Sequence, residues 1–248
     1  DYFSKWCTSS RPVDDRRQTS VRGAGPHEPA MAPIKIYYWP FLVRGGSLVR
    51  MLEHTGTPYE YISDKAEMAK VCSAFGATTG TTFAPPVVVD GEYMISQSVA
   101  SCLYLGKKLG LTPDGFDEYK AMQFCGDCVD TFEGGVGKNN EDGALLKAYV
   151  EGPRFAAQMS LLERSIKGPF VFGDTPSAAD FFLLQHLDWR GSSIFVPLKE
   201  RYGIDLLAPY PKMAAVQAAL QAADGYKNYQ GGLKTPGPIK DEILDAFK

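Results

Sequence analysis

Residues 86–98, Pro-Val-Val-Val-Asp-Gly-Glu-Tyr-Met-Ile-Ser-Gln-Ser, carry the pattern in this chain best suited to binding chemistry. Pro86 opens a short apolar strand, Val87 to Val89, and Asp90-Gly91 turns the chain back. A second strand runs into Gln97-Ser98, where an amphipathic helix is expected to begin. Backbone donors and one hydroxyl then meet at a helix N-terminus beside a proline-fixed bend. Such a corner suits a small ligand carrying a carboxylate.

Other reactive residues point less far. The five cysteines are Cys7, Cys72, Cys102, Cys125 and Cys128, and the number is odd and low for 248 residues. A disulfide scaffold is not expected. Cys125 and Cys128 form the one CxxC, and with no second pair and no nearby histidine they read as buried thiols on a helix; no metal site is expected. The three histidines, His27, His54 and His186, sit in no nucleophile or metal spacing. Ser177 and Asp180 stand three apart before an apolar run, a helix-capping spacing that positions a core helix and does no chemistry.

Composition narrows the class further. Hydrophobic residues make up 44% and charged residues 22%, with a net charge of −3, which fits a globular chain and gives no electrostatic case for nucleic acid or an anionic membrane. No apolar run approaches the roughly 20 residues of a bilayer helix, so a soluble protein is expected. Residues 1–30 lack an apolar period and read as a disordered leader: an expression remnant, translated upstream sequence or a weak transit-like segment, with Met31 as an expected start.

The elements that must position the corner come next. Residues 34–39 form a β-rich run, 47–54 a helix with Ser47 as its cap and Gly56 as its stop, and 59–62 a strand parallel to the first. A weaker helix over 64–74 and a glycine-threonine loop over 76–82 precede the hairpin, and a helix over 98–109 follows it. This order, βαβ then ββα, predicts a four-stranded mixed sheet with helices on both faces. From there on helices alone are expected, over 117–132, 143–166, 177–187, 197–202 and 211–222. The expected division is an α/β domain at 33–111 and an all-α domain at 116–248.

The chain resembles the cytosolic glutathione transferases over about residues 33–230. Three pieces carry the likeness: Tyr38-Trp-Pro with Arg44 six residues on, Pro86-Val-Val-Val-Asp-Gly with Gln97-Ser98, and Gly173-Asp-Thr-Pro-Ser-Ala-Ala-Asp180. The resemblance to the tyrosine-type classes (alpha, mu, pi, sigma) implies that the α/β domain at 33–111 is thioredoxin-like and that the protein is a cytoplasmic, homodimeric detoxification enzyme. It would join the glutathione thiolate to small apolar electrophiles, with glutathione as co-substrate and no metal. Tyr38 would donate to the glutathione sulfur with Arg44 assisting, and Tyr37 is the alternative if the strand register differs by one. Gln97 and Ser98 would hold the γ-glutamyl part, Ala84, Pro85 and a cis Pro86 the cysteinyl backbone, and Lys70 the glycyl carboxylate. Asp130, or else Asp127, would reach the γ-glutamyl amine across a dimer axis. Phe41 and aromatics around Phe124 would line the electrophile pocket.

Three departures stand against that pattern. Pro85 has no N–H, which removes one hydrogen bond to the tripeptide at a cost of about 0.5–1.5 kcal/mol. The tryptophan expected at the start of the second helix is replaced near Asp64, and the loop 75–82 is rich in glycine and threonine. Trp39 fills the slot that cysteine-type relatives use for thiol exchange. A non-catalytic binding or assembly module and a glutathione-dependent isomerase or peroxidase therefore remain as alternatives.

Overall fold

The computed structural model describes residues 33–40, 42–188, 194–227 and 240–248. The leader, the Met31 start and Phe41 lie outside them. Four strands, β1 (Ile34–Tyr37), β2 (Tyr59–Ile62), β3 (Val87–Asp90) and β4 (Tyr93–Ser96), form one sheet in the order β2-β1-β3-β4. β1 and β2 are parallel because helix α1 (Gly46–Thr55) intervenes, whereas β3 and β4 run antiparallel through the turn at Gly91, whose φ is 60°.

Alternation along β1 divides the core. Ile34, Ile36 and Val88 face α1 and helix α3 (Ser98–Lys108), where Leu48, Met51, Leu52, Cys102 and Leu105 fill the space. Tyr37 and Val87 face the other way, onto Met68, Val71 and Cys72 of helix α2 (Lys65–Val71) and its exit. α1 ends as expected: Gly56 takes a φ of 63°, and Thr57 N–H returns to Leu52 O at 2.9 Å. Its start differs. Gly45 is the cap, and Ser47 lies buried inside the helix with its N–H donating to Gln185 Oε1 at 2.9 Å. α2 is shorter than expected and is capped by Asp64, which accepts from the N–H groups of Ala66 and Glu67.

From Glu118 onward every described element is a helix, with one isolated β-bridge between Phe170 and Gly173. Helix α4 (Glu118–Cys128) passes into a nine-residue π-helix, Val129–Gly137. The single helix expected over 143–166 is two, α5 (Gly143–Val150) and α6 (Pro153–Ser165), because Gly152-Pro153 ends one and starts the next. Helix α7 (Ala178–Asp188) runs through the centre with residues 178–187 buried, and it packs against α1, α3 and α4. Gly106 lets α3 approach it closely: a Cβ there would lie 2.4 Å from Ala178 Cβ. Helices α8 (Phe195–Tyr202), α9 (Pro211–Ala222), α10 (Asp224–Lys227) and α11 (Asp241–Leu244) complete the helical part. Among the described residues no helix is long and apolar enough to cross a membrane.

Asp180 anchors the start of α7. Its carboxylate accepts from Ser177 N–H at 2.8 Å, Ser177 Oγ–H at 2.6 Å and Val171 N–H at 2.8 Å, so it ties the preceding loop as well as the helix end. Burial pushes its carboxyl up to about 6 against the pull of these donors.

Candidate functional site

Strand register assembles the corner. Tyr37 is aligned with Ile62 and with Val87, and Val87 in turn with Ser96. The next residues outward, Tyr38, Pro86 and Gln97, therefore leave the sheet at one end. Tyr38 is buried on the α1 side, and Tyr37 lies beneath α2. The Pro85–Pro86 peptide bond is cis; Pro86 is buried, with Ala84 and Pro85 half-buried.

Gln97 caps α3 without a side-chain hydrogen bond to the helix, so the first N–H groups of α3 receive no side-chain cap from it. Its φ of 74° makes it the one non-glycine residue with positive φ among the described residues. Residues held in such backbone regions are concentrated where ligands are gripped. Ser98 is the first residue of α3, so its hydroxyl sits at the positive end of an eleven-residue helix.

The Tyr38 hydroxyl accepts the Arg44 N–H at 3.1 Å. Its own proton finds no acceptor among the described residues and is free to serve another group. Burial pushes the phenol up to about 12, while the Arg44 amide and charge pull it down and Glu133 adds to the rise. Tyr38 is therefore a neutral donor throughout the physiological range. The Arg44 guanidinium continues outward to Glu133 Oε2 at 2.5 Å, and Glu133 Oε1 faces His186 Nε2 at 3.4 Å. Burial raises the Glu133 carboxyl, but His186 and Arg44 outweigh that and hold it below its ordinary range.

Glu133 and His186 were not legible as site residues. They lie 53 positions apart on the π-helix and on α7, and neither stands in a motif spacing. The other residues of the expected set take the following places. Lys70 is exposed and paired with Glu67 at 2.5 Å on the outside of α2. Phe124 belongs to the core beneath α7, because the apolar side of α4 is turned inward, and offers no ring to a cleft. Asp130 is exposed at the start of the π-helix; Asp127 is half-buried, and burial raises its carboxyl, with Gln123 opposing and Asp130 adding to the rise. The thiols of Cys102, Cys125 and Cys128 are buried and pushed up by that burial, which removes them as nucleophiles.

Solved structures match this arrangement of sheet and helices across most of the chain. A glutathione transferase from Ascaris lumbricoides superimposes with a TM-score of 0.63 at 16% identity, covering 82% of this chain and 98% of that one. The fold is that of the glutathione transferases. A glutathione transferase from Burkholderia graminis, solved with two glutathione molecules per subunit, matches with a TM-score of 0.60 at 22% identity over 82% of this chain and 88% of its own. A prostaglandin synthase D from Nilaparvata lugens matches with a TM-score of 0.59 at 18% identity over 83% and 100%. No protein-family model matches the chain, and no curated protein is significantly similar to it.

Proposed function

We propose that the protein is a glutathione transferase that activates the glutathione thiol at Tyr38 and adds it to small apolar electrophiles. A free thiol with a pKa of about 8.5 is only a few per cent thiolate at neutral pH. Each unit of depression is worth about 1.4 kcal/mol of preference for the anion. A neutral phenol whose oxygen is already held by the Arg44 amide has its proton available for that sulfur, and this geometry carries the reading.

The tripeptide's γ-glutamyl carboxylate would sit on the N–H groups of α3 with the Gln97 amide and the Ser98 hydroxyl. Its cysteinyl backbone would lie along Ala84, Pro85 and Pro86, and its glycyl carboxylate toward Lys70. The glutathione-binding half would be residues 33–111 and the helical half 116–248. In the homodimer that the resemblance implies, Asp130 would reach the partner's γ-glutamyl amine. Catalysis needs little beyond the activated nucleophile and its proximity to the electrophile.

Pro85 favours a second reading, a glutathione-fold module that binds or assembles without turnover, since the bend lacks one N–H donor. A glutathione-affinity column followed by a chromogenic electrophile assay separates the two. Retention with turnover is expected. Retention without turnover would favour the module, and a chain that is not retained would contradict both.

A further inference from the structure

The geometry points to Glu133 as the positioning residue of the sulfur-activating corner, an inference that rests on the transferase reading above. Glu133 holds Arg44, and Arg44 presents its N–H to Tyr38. The Arg44 side chain is 55% exposed and would wander without an anchor, whereas that of Glu133 is 12% exposed. His186 fixes the carboxylate from the other side. Its Nδ1 lies 2.8 Å from Phe182 O, and a carbonyl only accepts, so that nitrogen carries a proton; Nε2 donates to the Glu133 carboxylate when the ring is the doubly protonated imidazolium. Phe132 stacks on the imidazole with centroids 5.3 Å apart, and Phe182 packs at 5.1 Å, so the ring cannot rotate away.

The π-helix that carries Glu133 packs closely on Tyr149 at Gly135. A Cβ on Gly135 would lie 1.9 Å from the Tyr149 hydroxyl. Loop and helical wall are thus joined through one carboxylate, immediately before Gly45 on the ring of Tyr38. The charged groups facing Tyr38 are Arg44 and Glu133, and those facing Glu133 are Arg44 and His186. The charge of Glu133 opposes ionisation at Tyr38, so its benefit to the sulfur is placement of Arg44, not electrostatic attraction.

Glu133→Gln and Glu133→Ala separate the two contributions. Gln keeps an acceptor for the guanidinium and drops the charge, whereas Ala drops both. The readouts are the pH titration of bound-glutathione thiolate absorbance and the kcat and KM for glutathione with a chromogenic electrophile. Glu133→Ala is expected to raise the bound thiol's pKa by about one unit and lower kcat about tenfold at about pH 6.5, with KM within about twofold and the deficit shrinking above the new pKa. Glu133→Gln is expected to keep the wild-type thiol pKa or fall below it. If Glu133→Ala does not fold, Glu133→Asp, which withdraws the carboxylate by one methylene, takes its place with the same expected rise. An unchanged thiol pKa in the Ala or Asp variant overturns the inference, as does a Gln variant as impaired as Ala. Wild-type protein that shows no bound thiolate sinks the transferase reading itself, and this inference with it.

Discussion

Gly45 lies flat against the ring of Tyr38: a Cβ added to it would come within 2.8 Å of both Cγ and Cδ1. The backbone of Gly45 has a φ of −82°, so any residue could adopt it, and space alone demands glycine. Gly45→Ala is expected to displace the ring, to cost about 1–3 kcal/mol in denaturant unfolding and to lower kcat/KM at least about tenfold. Gly46 is the control, since a Cβ there meets Gln185 Cγ at an ordinary 3.5 Å. Gly46→Ala should be neutral or up to about 1 kcal/mol stabilising. Equal effects of the two substitutions would refute the steric argument.

The strained backbone of Gln97 should trade stability against binding. At a φ of 74° a glycine is relaxed where glutamine is not. Gln97→Gly should raise stability by about 1 kcal/mol, measured by urea titration, while weakening retention on immobilised glutathione. A variant less stable than wild type would show that the conformation carries no strain.

Asp180 links the fold to pH. Its carboxyl is raised in the folded state to about 6, above the usual value, so the folded chain binds the extra proton. The stability from this group is fully present below about pH 4 and is lost as pH rises through about 6. Asp180→Ala strands three buried donors, and a cost of about 2–5 kcal/mol is expected. The cost should be larger at about pH 5 than at about pH 7.5 by about 1–1.5 kcal/mol. Calorimetric or denaturant unfolding at the two values checks the sign, and a cost larger at the higher pH would contradict it.

How far the fold could be read in advance depended on local chemistry. The strand-helix-strand unit and the hairpin were legible because alternation, Gly56, the Asp90-Gly91 turn and the pair Ser177 and Asp180 each act within a few residues. The opposite faces of Tyr37 and Tyr38 follow from the same alternation. The π-helix was not legible, since Val129–Gly137 carries no signal separating it from α-helix and Gly135 matters through Tyr149 on the following helix. Ser47 has the sequence signal of a cap, whereas its real partner, Gln185, is 138 residues away. The place of Phe124 in the core is hidden in sequence because periodicity marks an apolar face without saying which neighbour covers it. Glu133 and His186 became visible only when tertiary packing brought them to Arg44.

The most direct measurement is the pH titration of thiolate absorbance for glutathione bound to the wild type, to Tyr38→Phe and to Tyr37→Phe. Removing one hydrogen bond to a charged sulfur should raise the bound thiol's pKa by about 1–2 units, from the roughly 1.5–3 kcal/mol such a bond is worth. Tyr37→Phe, altered beneath α2 on the far face, should titrate like wild type. A Tyr38→Phe curve superimposable on that of the wild type would contradict the assignment of the phenol as the group that holds the sulfur.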